Sequence, residues 1–398
     1  MATTKPKPDE FALDAILGKY ATKPDPLAMP ELWLLYSQAG SGKGLVHGTR
    51  VYTPDGYTNI EDLEVGDLVI GSDGKPVRVY GIWDRGEQSV YDVEFLNGTH
   101  ITTDGDHLWT LQRRDYPWEV LNTKQVMDKL ADNKVRVIYK VPMVAPVEHT
   151  RKELPLDPYF LGALIADGYL AGSSIQWSKG EQSVIDAVQA CGWEMREGTF
   201  DTSTTRQWYF RDNKKLTDIL ESLDLRCKSA GKFIPEDYLY SSVDDRRALL
   251  AGLFDGDGRV RSSRGNAQYH SVSQQLAQDV AQLCRSLGIA CSGTSDPLSD
   301  GTYRVNLTDG TDPFRYSKHK GSDKLVHSSH PYRNGIVSVT PVGFAETRCI
   351  AVESPDQLFV TEHYTLTHNT HLASSAVDVS PDTKVLYIDV EGSSPGVI

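Results

Sequence analysis

Apolar runs that end at turn-forming residues set the pattern at both ends of this chain. Residues 32–36 (LWLLY) form an unbroken apolar run of the kind found in buried strands. A second such run lies within residues 384–392 (KVLYIDVEG) and ends in the acidic residues Asp389 and Glu391. The two runs predict two buried strands, one near each end of the chain.

Between these ends, residues 48–86 show a different pattern of short strands separated by tight turns. The runs at 67–70 and 76–79 are flanked by Pro-Asp-Gly and Ser-Asp-Gly sequences, which favour turns because Gly and Asp tolerate turn conformations. This part of the chain is predicted to be a compact all-β domain.

Two segments in the middle of the chain are apolar over a helical length, residues 159–170 (YFLGALIADGYL) and 249–260 (LLAGLFDGDGRV). The small residues that match between them are Gly162 and Ala166 in the first and Gly252 and Gly256 in the second. Small residues four positions apart lie on one helix face and allow two helices to approach closely. We therefore predict a packed helix pair in which each helix ends at an aspartate, Asp167 or Asp257.

Composition narrows the class of protein. With 398 residues the chain predicts several domains. No apolar run reaches the length of a membrane span and the N-terminus lacks a secretory segment, so we expect a cytoplasmic protein of a bacterial or phage-infected cell, without a membrane partner. The five cysteines include no CxxC pair, which argues against a disulfide framework or a zinc site.

The formal net charge of −13 bears on any interaction with DNA. Contacts to phosphates require Lys and Arg, so an acidic chain needs a local basic face to bind DNA. The acidic balance also fits a chain that has lost an activity on DNA.

The glycine-rich turn after the first apolar run is an incomplete phosphate-binding loop. Its sequence Gly40-Ser41-Gly42-Lys43 lacks the Ser or Thr that would follow Lys43 and ligate magnesium. That residue occurs at Thr370, directly after His368-Asn369. Joining Lys43 to Thr370 gives SQAGSGKTHLASSAV, a strand, a loop and a helix start as nucleotide binding requires. The joined sequence resembles RecA-like ATPases, which implies that Gly40, Gly42, Lys43 and Thr370 bind ATP and Mg²⁺.

The residues between the two halves of this loop resemble an intein. The resemblance is carried by residues 48–86, by 99–111 (THITTDGDHLWTL), by 348–360 (RCIAVESPDQLFV) and by 365–370 (TLTHNT). It implies an all-β horseshoe-like splicing (Hint) fold that excises residues 44–369 and joins Lys43 to Thr370, without a cofactor.

The residues at the downstream junction suit this chemistry. Asn369 can cyclise onto its own carbonyl carbon and cut the chain, and His368 can assist the proton transfer. Thr370 supplies a hydroxyl nucleophile just beyond the cut. The resemblance implies that His107 protonates the amine that leaves the upstream junction. Asp104 stands where inteins carry Thr, and Thr103 is an alternative helper.

The upstream junction departs from most inteins, because Gly44 offers no nucleophile. The resemblance to class 3 inteins resolves this, since that branch uses a cysteine near the C-terminal segment, a tryptophan and a threonine. The matching residues here are Cys349, Trp109 and Thr367. We expect Cys349 to attack the Lys43 carbonyl, after which the acyl group passes to Thr370. The alternative is a class 1 intein inactivated at position 44.

The helix pair resembles the LAGLIDADG homing endonucleases. The resemblance implies an α+β domain, a Mg²⁺ ion held by Asp167 and Asp257, a double-stranded DNA target and a monomer. Side chains expected to contact DNA are Lys179, Arg206, Arg211, Lys214, Lys215, Arg259, Arg261, Arg264, Lys318, Lys320, Trp177, Trp208 and Tyr316.

These resemblances predict a multidomain protein, with fragments of an α/β P-loop ATPase flanking the Hint and endonuclease domains. The expected segments are host ATPase at 1–43 and 370–398, splicing domain at 44–144 and 336–369, and endonuclease at 145–335. Two other functions stay open: an ATPase that retains a large insertion, and a stand-alone nuclease with additional β-structure. Neither explains a divided phosphate loop bordered by His368-Asn369.

Overall fold

A computed structural model describes residues 44–113, 116–132, 138–202, 205–261, 265–293, 296–325 and 334–368, together with the backbone of 33–35 and 385–387. The chain forms two compact units, one of Gly42–Thr370 and one that combines Met1–Ser41 with His371–Ile398. Within the described residues, no helix is long and apolar enough to span a membrane.

The strands follow one another in chain order. They are β1 (Trp33–Leu35), β2 (Leu45–Val46), β3 (Arg50–Thr53), β4 (Gly56–Asn59), β5 (Leu68–Ile70), β6 (Pro76–Phe95), β7 (His100–Asp104), β8 (Leu108–Arg113), β9 (Glu119–Asn122), β10 (Tyr139–Lys140), β11 (Gly168–Tyr169), β12 (Gln176–Ser178), β13 (Met195–Thr202), β14 (Thr205–Phe210), β15 (Gly258–Arg261), β16 (Asn266–Ser271), β17 (Cys291–Gly293), β18 (Tyr303–Leu307), β19 (Gly335–Val352), β20 (Leu358–Thr361), β21 (Thr365–His368) and β22 (Val385–Tyr387). The helices are α1 (Thr123–Ala131), α2 (Pro158–Asp167), α3 (Gln182–Ala190), α4 (Asn213–Ser222), α5 (Glu236–Leu239), α6 (Val243–Asp257) and α7 (Gln274–Ser286).

In the unit of the two chain ends, β1 and β22 form a parallel pair. Trp33 lies opposite Val385 and Leu35 opposite Tyr387. Parallel neighbours require a long connection between them, which here includes the whole of the other unit. The two apolar runs predicted as buried strands are therefore confirmed as strands of one sheet.

The larger unit begins and ends in a β domain held together by two long strands. In its main sheet the order is β5-β6-β7-β2-β19-β10-β8-β9, and a smaller sheet has the order β21-β20-β3-β4. Strand β6 pairs antiparallel with β19, from Phe95 opposite Ile336 to Val79 opposite Val352. The chain segments on either side of the inserted helical domain are thereby joined along one ladder, and the predicted all-β domain is confirmed.

The inserted domain consists of two similar halves, each with a helix that ends at an aspartate and a four-stranded sheet. The first half combines α2 with the sheet β11-β12-β14-β13, and the second combines α6 with β15-β16-β18-β17. Each helix has a side-chain cap at its start: Asp157 accepts from the N–H of Phe160, and Ser242 accepts from that of Asp245. The predicted α+β fold is confirmed for this domain.

The two long helices touch through backbone rather than through side chains. A Cβ atom added to Gly162 would collide with the Leu249 carbonyl, and one added to Gly252 would collide with the Tyr159 carbonyl. Helices can approach this closely only where both faces carry glycine. The close approach brings the C-terminal ends of the two helices together. Asp167 lies at one of these ends.

The inserted domain is anchored on the β domain by tyrosines and a buried arginine. The rings of Tyr52 and Tyr364 lie 4.9 Å apart, and the Tyr240 ring of the inserted domain lies 6.3 Å from that of Tyr52. Arg246 of α6 is fully buried and donates to the carbonyl of Val147 in the connection between the domains. These contacts fix the position of the inserted domain on the β domain.

Candidate active sites

The first site forms around Gly44, because β2 runs between β7 and β19 in the main sheet. On the β7 side, the Gly44 N–H donates to Asp104 Oδ2 at 2.6 Å. The Gly44 carbonyl accepts from the Asp104 N–H at 3.0 Å. The nitrogen of the predicted scissile bond is therefore held by a carboxylate.

On its other side, β2 pairs antiparallel with β19. Leu45 lies opposite Arg348 and Val46 opposite Thr347. Cys349 follows Arg348 in β19, one residue beyond the last paired position, and the β19 side chain nearest to Gly44 is that of Thr347. Cys349 forms no disulfide and is 5% exposed.

Position 44 has no room for a side chain. A Cβ atom added to Gly44 would lie 2.7 Å from both Cβ and Oγ1 of Thr347. Thr347 is fully buried in β19, so its Cβ can move only with the strand. The structure thus requires glycine at the residue where most inteins carry a nucleophilic Cys or Ser.

Asp104 is an acid in a buried position. Burial raises its pKa to about 6, against the opposing effect of hydrogen bonds from the N–H groups of Gly44, Asp106 and His107. It is this side chain, and not that of Thr103, that meets the junction. The Thr103 hydroxyl donates instead to the Asp104 carbonyl and contacts the hydroxyl of Thr123, so the structure gives no support to Thr103 as a helper.

His107, Trp109 and Thr367 lie together in the core of the β domain. All three are at most 1% exposed. His107 Nε2 contacts the Thr367 hydroxyl, and the rings of His107 and Trp109 lie 5.0 Å apart in an edge-to-face arrangement. Strand β21 carries Thr367 to β8, so residues 260 positions apart meet in one cluster.

Thr123 connects this cluster to the junction, and sequence reasoning missed it. Its hydroxyl accepts from Trp109 Nε1 at 3.1 Å and contacts the Thr103 hydroxyl at 3.0 Å. Its backbone N–H donates to the His107 carbonyl at 3.0 Å. The capping box at Asn122 predicts a helix start here, but no local signal indicates that the next residue faces a site.

The remaining predicted junction residues divide into two groups. His368 ends β21 opposite Leu358 and is half-buried. Residues outside the described part of the chain are Gly40, Gly42, Lys43, Asn369 and Thr370. The roles assigned to all of these residues remain predictions.

The second site lies where α2 and α6 end. Asp167 Oδ2 accepts from Lys179 Nζ at 2.9 Å, and the same ammonium donates to the Gly256 carbonyl at 2.9 Å. Lys179, expected on the DNA-contacting surface, instead bridges the ends of the two helices. The half-buried ion pair neutralises one of the two carboxylates.

Asp257 lies beside this pair. Desolvation and repulsion by Asp167 raise the pKa of Asp257, and the positive charges of Lys232 and Lys179 oppose this shift. Residue 257 is nevertheless exposed to solvent. Lys232 is buried and donates to the Ile165 carbonyl at 2.6 Å, at the end of α2. The sequence did not indicate Lys232, because it lies well before the second helical segment, residues 249–260.

The donors at this site suit a hydrated hard cation. The described residues include no group of three or more His, Cys, Asp or Glu side chains able to hold a metal. Two carboxylates and the Gly256 carbonyl are oxygen donors, which Mg²⁺ prefers with several waters retained. Tyr269 is fully buried near both carboxylates, and its hydroxyl has no hydrogen-bond partner in the described part of the chain. The oxygen donors are of the kind that Mg²⁺ prefers, and two of them, Asp167 Oδ2 and the Gly256 carbonyl, accept from Lys179 Nζ in this structure.

Two of the expected DNA contacts are wrong. Trp177 is fully buried and Trp208 is 7% exposed, with the Trp177 indole N–H donating to the Ala163 carbonyl. Both tryptophans pack in the core beneath the sheet. Arg264 lies outside the described residues, whereas Arg259 is exposed on β15.

Residues 244–316 match the family model of the LAGLIDADG-like domain. A replicative DNA helicase DnaB of Mycobacterium intracellulare is 27% identical over 375 residues, which are 85% of this chain and 60% of the helicase. The ATP-dependent DNA helicase Hel308 of Methanocaldococcus jannaschii is 23% identical, over 61% of this chain and 20% of that protein. A DNA gyrase subunit of Mycobacterium kansasii is 24% identical, over 64% of this chain and 47% of that protein. The chain therefore spans less than two thirds of each of these relatives.

Among solved structures, the Msm DnaB1 intein splicing domain bound with zinc is similar at a TM-score of 0.28 and 12% identity, over 82% of this chain and 99% of that one. I-DmoI in complex with DNA and Mn is similar at a TM-score of 0.29 and 15% identity, over 38% of this chain and 89% of that one. The family model confirms the predicted LAGLIDADG-type domain.

Proposed function

We propose that this chain, which pairs an intein-like splicing domain with a LAGLIDADG-type domain, excises residues 44–369 from itself and joins Lys43 to Thr370. The observation that carries the proposal is the place of Gly44 in the sheet. Asp104 accepts from its N–H on one side, and on the other side lies β19, in which Cys349 follows Arg348, the partner of Leu45. The proposed nucleophile therefore belongs to the strand that neighbours the leaving amine.

In the first step the Cys349 sulfur attacks the Lys43 carbonyl carbon. The sulfur–carbon bond forms, the bond to the Gly44 nitrogen breaks, and His107 passes the thiol proton to that nitrogen. Asp104 orients the Gly44 N–H and stabilises positive charge that develops on the nitrogen, as a preorganised charge does in a water-poor site. Trp109 and Thr367 keep the His107 ring in place.

The later steps use the downstream junction. The acyl group passes from the Cys349 sulfur to the Thr370 oxygen, and the hydroxyl proton returns to sulfur. The side-chain nitrogen of Asn369 then attacks its own carbonyl carbon and breaks the chain, with His368 assisting the proton transfer. A final shift of the acyl group from oxygen to nitrogen of Thr370 makes the new peptide bond.

The crowded environment of Gly44 favours this class 3 route over a class 1 intein inactivated at position 44. A cysteine or serine there would place its Cβ 2.7 Å from Thr347 Cβ, a separation that real side chains do not adopt. An inactivated class 1 intein would instead retain the space for its lost nucleophile.

The relatives support a mobile insertion. A DnaB helicase, a Hel308 helicase and a gyrase subunit have different activities by name, yet each shares more than half of this chain. What they share is better explained by an inserted element than by a common host activity. The parallel pairing of β1 with β22 supports a host of α/β type, which would bind ATP and Mg²⁺ once its phosphate loop is joined.

We further propose that the inserted domain is a double-strand DNA endonuclease that acts as a monomer. Asp167, Asp257 and the Gly256 carbonyl would hold Mg²⁺, which supplies an activated water and charge stabilisation for phosphodiester hydrolysis. Lys179 orients the Asp167 carboxylate, and the charges of Lys179 and Lys232 reduce the repulsion between the two carboxylates. The exposed sheet residues beside the carboxylates would position the DNA.

Intact mass measured during incubation of the purified chain tests splicing. The proposal expects two products, a piece spanning 44–369 and a joined piece containing the Lys43–Thr370 bond. An ATPase that retains its insertion would keep a single mass throughout. Cleavage of a library of plasmids with Mg²⁺ tests the nuclease independently.

A further inference from the structure

The two halves of the inserted domain can be compared residue by residue through their strand registers. In the first half Gly168, the residue after Asp167, lies opposite Trp177. In the second half Gly258, the residue after Asp257, lies opposite Tyr269. These pairs make β11 and β12 equivalent to β15 and β16, and the next pairings make β14 equivalent to β18.

Successive residues of these strands point to opposite faces of the sheet, and one face is the core. Trp177 and Trp208 face the core in the first half, as Tyr269 and Val305 do in the second. The alternate residues therefore lie on the open face. Three equivalent pairs of partly or fully exposed positions on this face are Tyr169, Ser178 and Gln207 in the first half and Arg259, His270 and Arg304 in the second.

These equivalent positions differ in charge. In the second half, Arg259 is exposed and its Nη2 lies 2.7 Å from His270 Nε2, while His270 lies opposite Arg304 across the strands. Two guanidinium groups and an imidazole thus lie together on the sheet whose first strand begins directly after Asp257. In the first half the same three positions carry only hydroxyl and amide groups, and Gln207 Nε2 donates to the Gln176 side chain at 2.6 Å.

We propose that the DNA target is asymmetric in base composition: guanine lies next to the cut in the half-site beneath the second half of the domain, read by Arg259 and Arg304, whereas adenine is favoured beneath Gln207 in the other half-site. This inference rests on the proposed endonuclease function and specifies its substrate. An arginine pairs with O6 and N7 of guanine through two hydrogen bonds, and a glutamine pairs likewise with N6 and N7 of adenine.

The asymmetry is strongest close to the cut. Arg259 and Tyr169 each lie two residues after an active-site aspartate, so both stand on the innermost strand of their sheet. In the first half the arginine of the equivalent row is Arg196, on the outer strand β13, where it stacks 4.8 Å above the Tyr209 ring. Guanine contacts by this half would therefore fall farther from the cut.

Selection of bound duplexes from a randomised library tests the inference, with the full chain and without divalent metal so that bound DNA stays intact. All residues of the inserted domain remain in one polypeptide whether or not the chain has spliced. The wild-type protein should enrich guanine about tenfold or more at one or two positions on one side of the centre. Adenine should be enriched on the other side.

The matched variants are Arg259→Gln and Tyr169→Gln, which change equivalent positions of the two halves. Both side chains are exposed, and thermal unfolding checks that each variant folds. Arg259→Gln should replace guanine by adenine at the position that Arg259 reads and leave the other half-site unchanged. Tyr169→Gln should alter only the other half-site.

Three results would overturn the inference. Selected sites with the same composition on both sides would contradict it directly. If Arg259→Gln weakened binding equally for all sequences and left the base preferences intact, Arg259 would contact phosphate. If no duplex were enriched at all, the endonuclease function itself would fail, which the wild-type selection distinguishes from the other two results.

Discussion

The splicing site and the carboxylate site of this chain are assembled in opposite ways. The splicing site draws Gly44, Asp104 and Cys349 from three adjacent strands that are far apart in the sequence, and it is buried. The carboxylate site takes Asp167 and Asp257 from the ends of two matching helices, and it stays open to solvent. A splicing site acts on groups of its own chain and can be buried, whereas a site that acts on DNA must be open for the DNA to reach it.

The two sites also differ in the number of carboxylates they contain and in the groups that partner those carboxylates. At the buried junction a single carboxylate, Asp104, has neighbouring N–H groups as partners and a pKa raised by burial. At the open site two carboxylates face each other, with Lys179 and Lys232 nearby. The two sites should therefore respond independently to substitution, and the following predictions test that separation.

The largest expected effect is at the carboxylate pair. Asp257→Asn removes one charge that would hold the cation, so DNA cleavage should fall by about a hundredfold or more while splicing continues at the wild-type rate. Plasmid cleavage and intact mass are measured on the same samples. Asp244→Asn, an exposed change on the same helix, is the control. A parallel loss of splicing would contradict the separation.

The next effect concerns the space at Gly44. Gly44→Ala should slow the upstream step about tenfold, because overpacking a tight site costs about 1–3 kcal/mol. Thr347→Ala removes the colliding Oγ1 and the Cγ2 methyl, so the double variant should recover part of the rate. The measurement is the rate of product formation by mass. Equal rates for Gly44→Ala and wild type would show that the site is not crowded.

A smaller effect is expected at Thr123. Thr123→Val leaves Trp109 Nε1 without its partner in the core, which should lower the free energy of unfolding by about 1–3 kcal/mol and slow splicing. Thr123→Ser keeps the hydroxyl and should retain most of both properties. Urea unfolding and splicing rates report the two effects. A valine variant that splices normally would exclude Thr123 as a positioning residue.

The smallest effect is the pH dependence of Asp104. Its raised pKa of about 6 means that the carboxylate becomes protonated as the pH falls through 6, which weakens its bond to the Gly44 N–H. The ratio of the upstream rate of wild type to that of Asp104→Asn should therefore fall several-fold between pH 7 and pH 5. Taking the ratio removes the titration of the thiol. A ratio that stays constant would assign the dependence to another group.

Sequence patterns predicted the carboxylate site better than the splicing site. Repeated small residues four apart identified the helix pair and its aspartates, because helix geometry depends on near neighbours. The contact of Asp104 with Gly44 depends on which strands become neighbours, and residues 60 positions apart give no local signal for it. Thr347 was missed for the same reason.

The wrong expectation for Trp177 and Trp208 has a similar cause. Both tryptophans lie in alternating strands, where a shift of one residue exchanges the core face and the open face. The pattern alone left both faces possible, and packing against α2 decided between them. The motifs at the two junctions were predicted from resemblance, and their roles await measurement.

The most direct test of the central claim is tandem mass spectrometry of Asn369→Ala and of Asn369→Ala with Cys349→Ala after incubation, because a branched chain and the linear chain have the same intact mass. Without Asn369 cyclisation, the first variant should accumulate a branched chain in which residues 1–43 are attached through Cys349 or Thr370 and Gly44 is a free N-terminus. Tandem mass spectrometry would locate that attachment. The second variant should remain linear. A branched chain in the absence of Cys349, or a linear chain in its presence, would contradict the Cys349-initiated route.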